Sequence, residues 1–178
     1  MSFDVVRSVN IFPIKSCRAA TRGGEVIREL QVSQTGFELD GVADRQWVIS
    51  DEQGLFVSQR GWDKNEARKY PEDGVLATVE LAILPEHLHV SKEGFGELVI
   101  PTDSESKSSS NTTIHGREVN GFYEGAESEA FFSQLLGRAV KLVRTDRQNP
   151  SMIPEKYQRE GASNRSLAAD GLPFLLTS

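Results

Sequence analysis

Cysteine is nearly missing from this chain: of 178 residues only Cys17 carries a thiol. A single cysteine excludes an internal disulfide framework and fits a reducing compartment. Also missing is any apolar run near the roughly 18 residues that a membrane-spanning helix needs, and the first nine residues show no signal-peptide pattern. Together these absences lead to the expectation of a soluble, cytoplasmic protein with no membrane partner. Positive charge is in deficit as well, with 20 Lys and Arg against 26 Asp and Glu and a net charge of -6. Non-specific nucleic-acid binding draws on counterion release at a basic face, so nucleic acid is not expected as a partner. No P-loop, dinucleotide fingerprint or Ser-His-Asp arrangement is apparent either, and no lysine stands out as a pyridoxal Schiff-base former.

What remains is an ordinary globular composition, 38% hydrophobic and 26% charged, with 15 Gly and 7 Pro. Short apolar stretches punctuated by Gly, Asp and Pro predict strands over residues 4–14, 25–32, 46–50, 56–58, 77–83, 87–91, 97–100, 111–115 and 140–143. Residues 51–54, Asp-Glu-Gln-Gly, read as a hairpin turn. So many short strands must protect their edges, and closure into an antiparallel β-barrel is the expected solution. The period changes only over 125–137, where Ala126, Ala130, Phe131, Leu135 and, on the flank, Leu136 predict the apolar face of one amphipathic helix capped by Gly137. The expectation is thus a mainly β (α+β) protein. Its core should include Val9, Ile11, Val48, Ile49, Leu81, Phe131 and Leu135, with a flexible loop over 104–110 and a polar, mobile stretch over 145–166.

The segment Ile11-Phe12-Pro13-Ile14-Lys15-Ser16-Cys17-Arg18 combines a strand-like start, a proline break and then a lysine, a hydroxyl and an arginine. A movable point charge, a short donor and a planar fork suit phosphate oxygens. Other cations gather in the same third of the chain, at Arg7, Arg22, Arg28, Arg45 and Arg60, and a local positive pocket on an acidic protein suits a small anion. Arg7, Arg22 and Arg28 read better as solvated surface. Asp44 or Asp40 can fix the Arg45 guanidinium, although on the residues alone an Asp-Arg neighbour pair is a surface contact worth about 0 to 1 kcal/mol. Arg60 could equally brace the fold from outside. Trp47 and Trp62 read as core and rim packing. His87 and His89 alternate along one strand and share a face, which permits zinc but without an evident third ligand reads as surface. Cys17 has cationic neighbours that would acidify a thiol, yet a lone cysteine in such a turn reads as a small, partly buried residue, and no metal ligand is assigned.

Several elements occur in order: Phe12-Pro13-Ile14-Lys15-Ser16-Cys17, then Thr35-Gly36, then Asp44-Arg45-Gln46-Trp47, then Asp51 through Gly54 and Phe56 to Gln59-Arg60. A further one, Ala169-Asp170-Gly171-Leu172-Pro173-Phe174-Leu175-Leu176, lies at the carboxy end. This set resembles the MOSC family, molybdenum-cofactor proteins that include the mitochondrial amidoxime-reducing enzymes and bacterial relatives. The resemblance implies an N-terminal β-barrel domain over 1–145, a linker over 146–165 and the truncated start of a MOSC domain over 166–178. It assigns Lys15, Ser16 and Arg45 to the cofactor's phosphate, and Asp170, Gly171 and Leu172 to a loop whose backbone donors approach the same ligand. The family's molybdenum-binding cysteine has no counterpart here, so this chain is expected to hold part of a cofactor cradle, bind no molybdopterin by itself and carry no assigned catalytic residue. The intact protein would be an oxidoreductase acting on a small-molecule substrate, an N-hydroxylated compound, with a ferredoxin-like or flavoprotein redox partner. The alternative is a non-catalytic binding module that handles sulfur or the cofactor.

Overall fold

The computed structural model describes residues 6, 8–61, 70–103 and 108–170. Its centre is a strand buried along almost its whole length, β5 (Trp47–Asp51), in which Trp47, Val48, Ile49 and Ser50 are all shielded from solvent. A strand covered on both faces reads as a continuous apolar run, and its β-branched residues suit that setting. Antiparallel to it lies β12 (Val140–Thr145), with Val143 opposite Val48 and Leu142 opposite Ile49, and β11 (Gly121–Tyr123) completes a three-stranded sheet.

A second sheet is a meander of β6 (Glu80–Leu84), β7 (His87–Lys92) and β8 (Gly96–Pro101), joined in parallel by the two residues of β1 (Thr21–Arg22). Strict alternation here buries Leu81, Ile83, Leu88, Val90, Leu98 and Ile100 on one face. Helix α1 (Ala126–Leu136) packs on β12 and β8 and ends at Gly137, whose φ of 65° makes the left-handed cap. Within its contact face Phe131 meets Phe95 and Phe132 edge-on, with ring centres 5.5 and 5.2 Å apart. Smaller ladders are β2 (Gln31–Val32), β3 (Phe37–Leu39) and β4 (Val42–Ala43), the hairpin β9 (Thr112–Ile114) and β10 (Arg117–Val119), and the pair β13 (Ser151–Met152) and β14 (Arg165–Ser166).

Alternation along β5 splits the core in two. Trp47 and Ile49 join the main cluster with Ile11, Ile14, Leu81, Ile83, Leu88, Phe132 and Leu142. Val48 points to the opposite side, into a smaller cluster with Ile114, Val119 and Ala168 and with Phe56 against it. That second cluster seats the β9–β10 hairpin and residues 166–169 on the back of β5, which is where the charged site is built.

The mostly β character is as expected, but closure is not: among the described residues the strands form five separate sheets and none closes into a barrel. Residues 8–14 form no strand, because Pro13 has no N–H to donate and the segment instead exchanges single hydrogen bonds with residues 45–47. The expected strand 25–32 shrinks to Gln31–Val32, with Ile27 buried and Leu30 partly buried against the core from the rest, and residues 77–78 belong to a 3-10 turn, Pro71–Thr78. A second short 3-10 turn is Glu155–Tyr157. The buried helix positions are Ser128, Phe131, Phe132 and Leu136, while Ala126 and Ala130 are exposed. Alanines bury too little area to set the helix phase against two phenylalanines.

Of the expected core, Ile11, Val48, Ile49, Leu81 and Phe131 are buried, and Val9 and Leu135 pack partly buried against it. Residues 108–110 of the expected loop pair with β11, residues 104–107 lie outside the described ones, and the stretch expected to be mobile carries the β13–β14 ladder and a buried Ile153.

Gly121 is constrained by contact rather than by backbone angle. A Cβ there would sit 2.5 Å from the Arg144 carbonyl oxygen and 2.6 Å from Val143 Cγ1. Gly121→Ala is expected to lower stability by about 1 to 3 kcal/mol, the usual cost of overpacking, as read from urea unfolding. An unchanged midpoint would show that β11 and β12 can separate without penalty.

Candidate functional site

Lys15 leaves the core at the point where residues 11–15 run beside 45–47. Its N–H donates to the Trp47 carbonyl at 2.9 Å, and the Cys17 N–H closes a turn on the Ile14 carbonyl at 3.1 Å. Ser16 within that turn is left-handed, with φ at 77°. Arg45 is left-handed too, at 55°, and donates its N–H to the Phe12 carbonyl at 2.8 Å. The buried Asp44 ties the two segments together, accepting the Phe12 N–H at 2.8 Å on one oxygen and pairing with the Arg45 guanidinium on the other.

The Lys15 side chain is only 7% exposed, and its Nζ lies 2.8 Å from Asp170 Oδ1 and 5.1 Å from the centre of the Phe56 ring. Phe56 is delivered by the Asp51-to-Gly54 turn. There Asp51 Oδ1 accepts the N–H groups of Gln53 and Leu55 at 3.0 and 2.8 Å, and Gly54 takes φ 75°.

Two further side chains come from the β9–β10 hairpin. Its turn residues His115 and Gly116 have φ of 48° and 78°, the left-handed pair that a two-residue hairpin turn requires. His115 Nε2 lies 3.3 Å from Asp170 Oδ1, and its ring stands edge-on to Phe56 at 6.3 Å. Arg117 donates to the carbonyls of Met152 at 2.9 Å and Ala169 at 2.6 Å.

The charges are coupled. Burial pushes the Lys15 ammonium below its ordinary value; Asp170 opposes this, while Arg45 and Arg117 add to it. Burial raises Asp44, although Arg45, the Phe12 N–H and Lys15 pull the other way. Burial alone would raise Asp170, but Lys15, His115 and Arg45 outweigh it and hold that carboxyl below the usual range. Burial lowers Arg117, with Asp170 opposing. Lys15, Arg45, Arg117 and an imidazole thus face two carboxylates, an arrangement that can take an additional anion through charge-assisted hydrogen bonds.

Of the residues singled out in the sequence, the structure brings together Lys15, Ser16, Arg45 and Asp170, the last through a side-chain ion pair. Gly171, Leu172, Arg7 and Trp62 lie outside the described residues. Arg22 forms a bidentate pair with Asp40 at 2.8 and 2.9 Å on the surface, so Asp44 alone of the two candidates holds Arg45. Arg18 pairs with Glu80 at 3.3 Å, also exposed, and Arg28 and Arg60 are exposed.

Trp47 is fully buried, its Nε1 donating to Glu124 at 2.7 Å. His87 and His89 do share a face of β7, where His89 lies 3.4 Å from Glu97, and the described residues contain no group of three or more metal-ligating side chains. Cys17 is packed in the main core, and burial pushes its thiol well up, the opposite of what a thiolate ligand needs. His115 and Arg117 escaped the sequence reading, although an expected strand running into His-Gly was the available sign of a tight hairpin there.

The family model described as the MOSC N-terminal beta barrel domain matches residues 3–139, and the chain belongs to this family. It is also similar to mitochondrial amidoxime-reducing component 1 of Mus musculus, 25% identical over 174 residues that cover 94% of this chain and 46% of that protein. The chain therefore spans just under half the length of that relative. Among solved structures, the solution structure of a Bordetella bronchiseptica protein superposes with a TM-score of 0.44 at 16% identity, over 65% of this chain and 88% of that one. No helix among the described residues is long and apolar enough to cross a membrane.

Two outcomes are expected of this site. Asp170 titrates near 3.9 when unfolded and lower when folded, so its contribution to stability is present above that value and is lost as pH falls through the folded one. The stability gap between the wild type and Asp170→Asn should accordingly narrow as pH falls below about 5, read as urea midpoints. Cys17 should react with a thiol reagent only as the chain unfolds, and rapid labelling in native buffer would contradict its burial.

Proposed function

We propose that this chain is the phosphate-holding part of a molybdenum-cofactor oxidoreductase that reduces N-hydroxylated compounds. The observation that carries the reading is the convergence of Lys15, Arg45 and Asp170, far apart in sequence, on one cationic cluster in a chain of the MOSC N-terminal family. The relative named for amidoxime reduction supports the substrate class, since an amidoxime carries an N-hydroxyl.

The donor set fits the phosphate of a pterin cofactor. Lys15 and Arg45 would neutralise its charge, the Ser16 hydroxyl would donate a short hydrogen bond, and the family resemblance assigns backbone donors of Asp170, Gly171 and Leu172 to the same phosphate. The donor set does not fit the metal: Cys17 is buried and its thiol is pushed up, so it holds no molybdenum. When bound, the molybdenum centre supplies the oxygen-atom chemistry, and the role of this chain is to orient the cofactor and shape access for a small-molecule substrate. Electrons would come from a ferredoxin-like or flavoprotein partner in the cytoplasm.

Titration with inorganic phosphate, followed by amide NMR, tests the cradle. Shifts should concentrate at Lys15, Ser16 and Arg45 and weaken with added salt. Lys15→Ala and Arg45→Ala should each lower affinity by roughly 1.5 to 3 kcal/mol, the scale of a hydrogen bond to a charged group. If all three amides stay unmoved at saturating phosphate, the cradle reading is wrong.

A further inference from the structure

The cationic cluster already contains an anion of its own. Asp170 Oδ1 lies 2.8 Å from Lys15 Nζ and 3.3 Å from His115 Nε2, yet the Asp170 side chain is 63% exposed while that of Lys15 is 7% exposed. A carboxylate in this position stands between solvent and the buried ammonium. Its placement has an anchor in the backbone just before it. Arg117 directs two of its donors to backbone carbonyls, one on Met152 in β13 and one on Ala169, the residue before Asp170. Ala168 and Leu167 are buried just upstream, and Ser166 pairs with Ser151 in the β13–β14 ladder.

We infer that the β9–β10 hairpin is a latch: Arg117 positions the Ala169-Asp170 backbone so that the Asp170 carboxylate occupies the cation cradle as a resident counter-ion, which an incoming phosphate-bearing ligand must displace. This rests on the cradle reading proposed above and adds an internal competitor and the residue that sets it in place. Arg117 acts through Asp170 and is a positioning residue. The planar fork matters because it reaches two carbonyls at once, which a lysine ammonium in the same place would not hold in the same fixed geometry. Exchange requires no covalent step, only the replacement of one set of charge-assisted hydrogen bonds on Lys15 by another.

The test is a mutant cycle read by calorimetric titration of the full chain with inorganic phosphate, with circular dichroism confirming the fold of each variant. Asp170→Asn removes the competitor and should tighten phosphate binding by about three- to tenfold, what a partly exposed ion pair can withhold. Arg117→Lys keeps the charge but loosens the latch. It should tighten binding in the wild-type background and have no further effect in the Asp170→Asn background.

Phosphate binding to Asp170→Asn that is equal to or weaker than wild type would overturn the latch while leaving the cradle standing. The latch is equally overturned if Arg117→Lys shifts affinity by the same factor in both backgrounds, since it would then act independently of Asp170. Absence of phosphate binding to wild type and Asp170→Asn alike would overturn both readings.

Discussion

Everything at the charged site depends on β5 being covered on both faces. A half-exposed strand would offer one packing surface, and the β9–β10 hairpin would have nothing apolar to sit on. Because Val48 faces away from Trp47 and Ile49, a second small cluster with Ile114, Val119 and Ala168 forms behind the main core. Ala168 belongs to the segment that carries Asp170, and Ile114 belongs to the hairpin that carries His115 and Arg117. One strand thus fixes the relative position of charged groups that are distant in the chain, and it does so by apolar burial rather than by the ion pairs themselves.

The ion pairs are better understood as conditions that burial imposes. An unpaired charge in a protein interior is costly, and breaking a buried pair typically costs about 3 to 5 kcal/mol. The clearest case lies outside the site. Arg144 donates to Glu124 at 2.7 and 2.8 Å, to the Thr102 carbonyl at 2.6 Å and to the Pro101 carbonyl, while Glu124 also accepts the Trp47 indole N–H. Trp47 can therefore be fully buried with its polar atom satisfied, and β12 is tied to the last residue of β8 and the one after it through the two carbonyls. Asp73 and Arg138 make a similar pair at 2.6 Å, but there Asp73 Oδ1 and Arg138 Nε stay unpartnered. By that measure the network around Trp47 is the better satisfied of the two.

Where the sequence was legible, a local physical rule decided the outcome. Short apolar stretches between turn residues placed β7 and β8 almost to the residue, and the same rule found β5 over 46–50. Gly137 ended the helix where a left-handed cap was needed. Lys15 and Arg45 were singled out because ordered motifs flank them, and both lie in the charged cluster with Asp170. The failures share a different cause, since each depended on a partner distant in the chain. Residues 8–14 look like a strand, but their hydrogen bonds go singly to residues 44–47, far along the chain, and the helix phase turned on whether two phenylalanines or two alanines met β8 and β12. Barrel closure is a property of how ladders join, which short apolar runs cannot encode. His115 and Arg117 become site residues only through Asp170, Ala169 and Met152, and no local pattern announces those contacts.

A cationic site on a chain of net charge -6 raises the question of why the surplus acids do not cancel it. Screening answers it: at physiological ionic strength exposed charges lose most of their influence beyond about 8 Å. Surface pairs such as Arg22 with Asp40 and Arg18 with Glu80 are already neutralised locally. An anion within hydrogen-bonding distance of Lys15 would meet Arg45, Arg117 and His115 at close range, across a partly desolvated boundary where their interaction is screened least. The acidic remainder acts at longer range, where salt weakens it. Of the two carboxylates at the site, Asp44 is buried and committed to the Phe12 N–H and Arg45, which leaves the exposed Asp170 as the one carboxylate placed to exchange with a ligand.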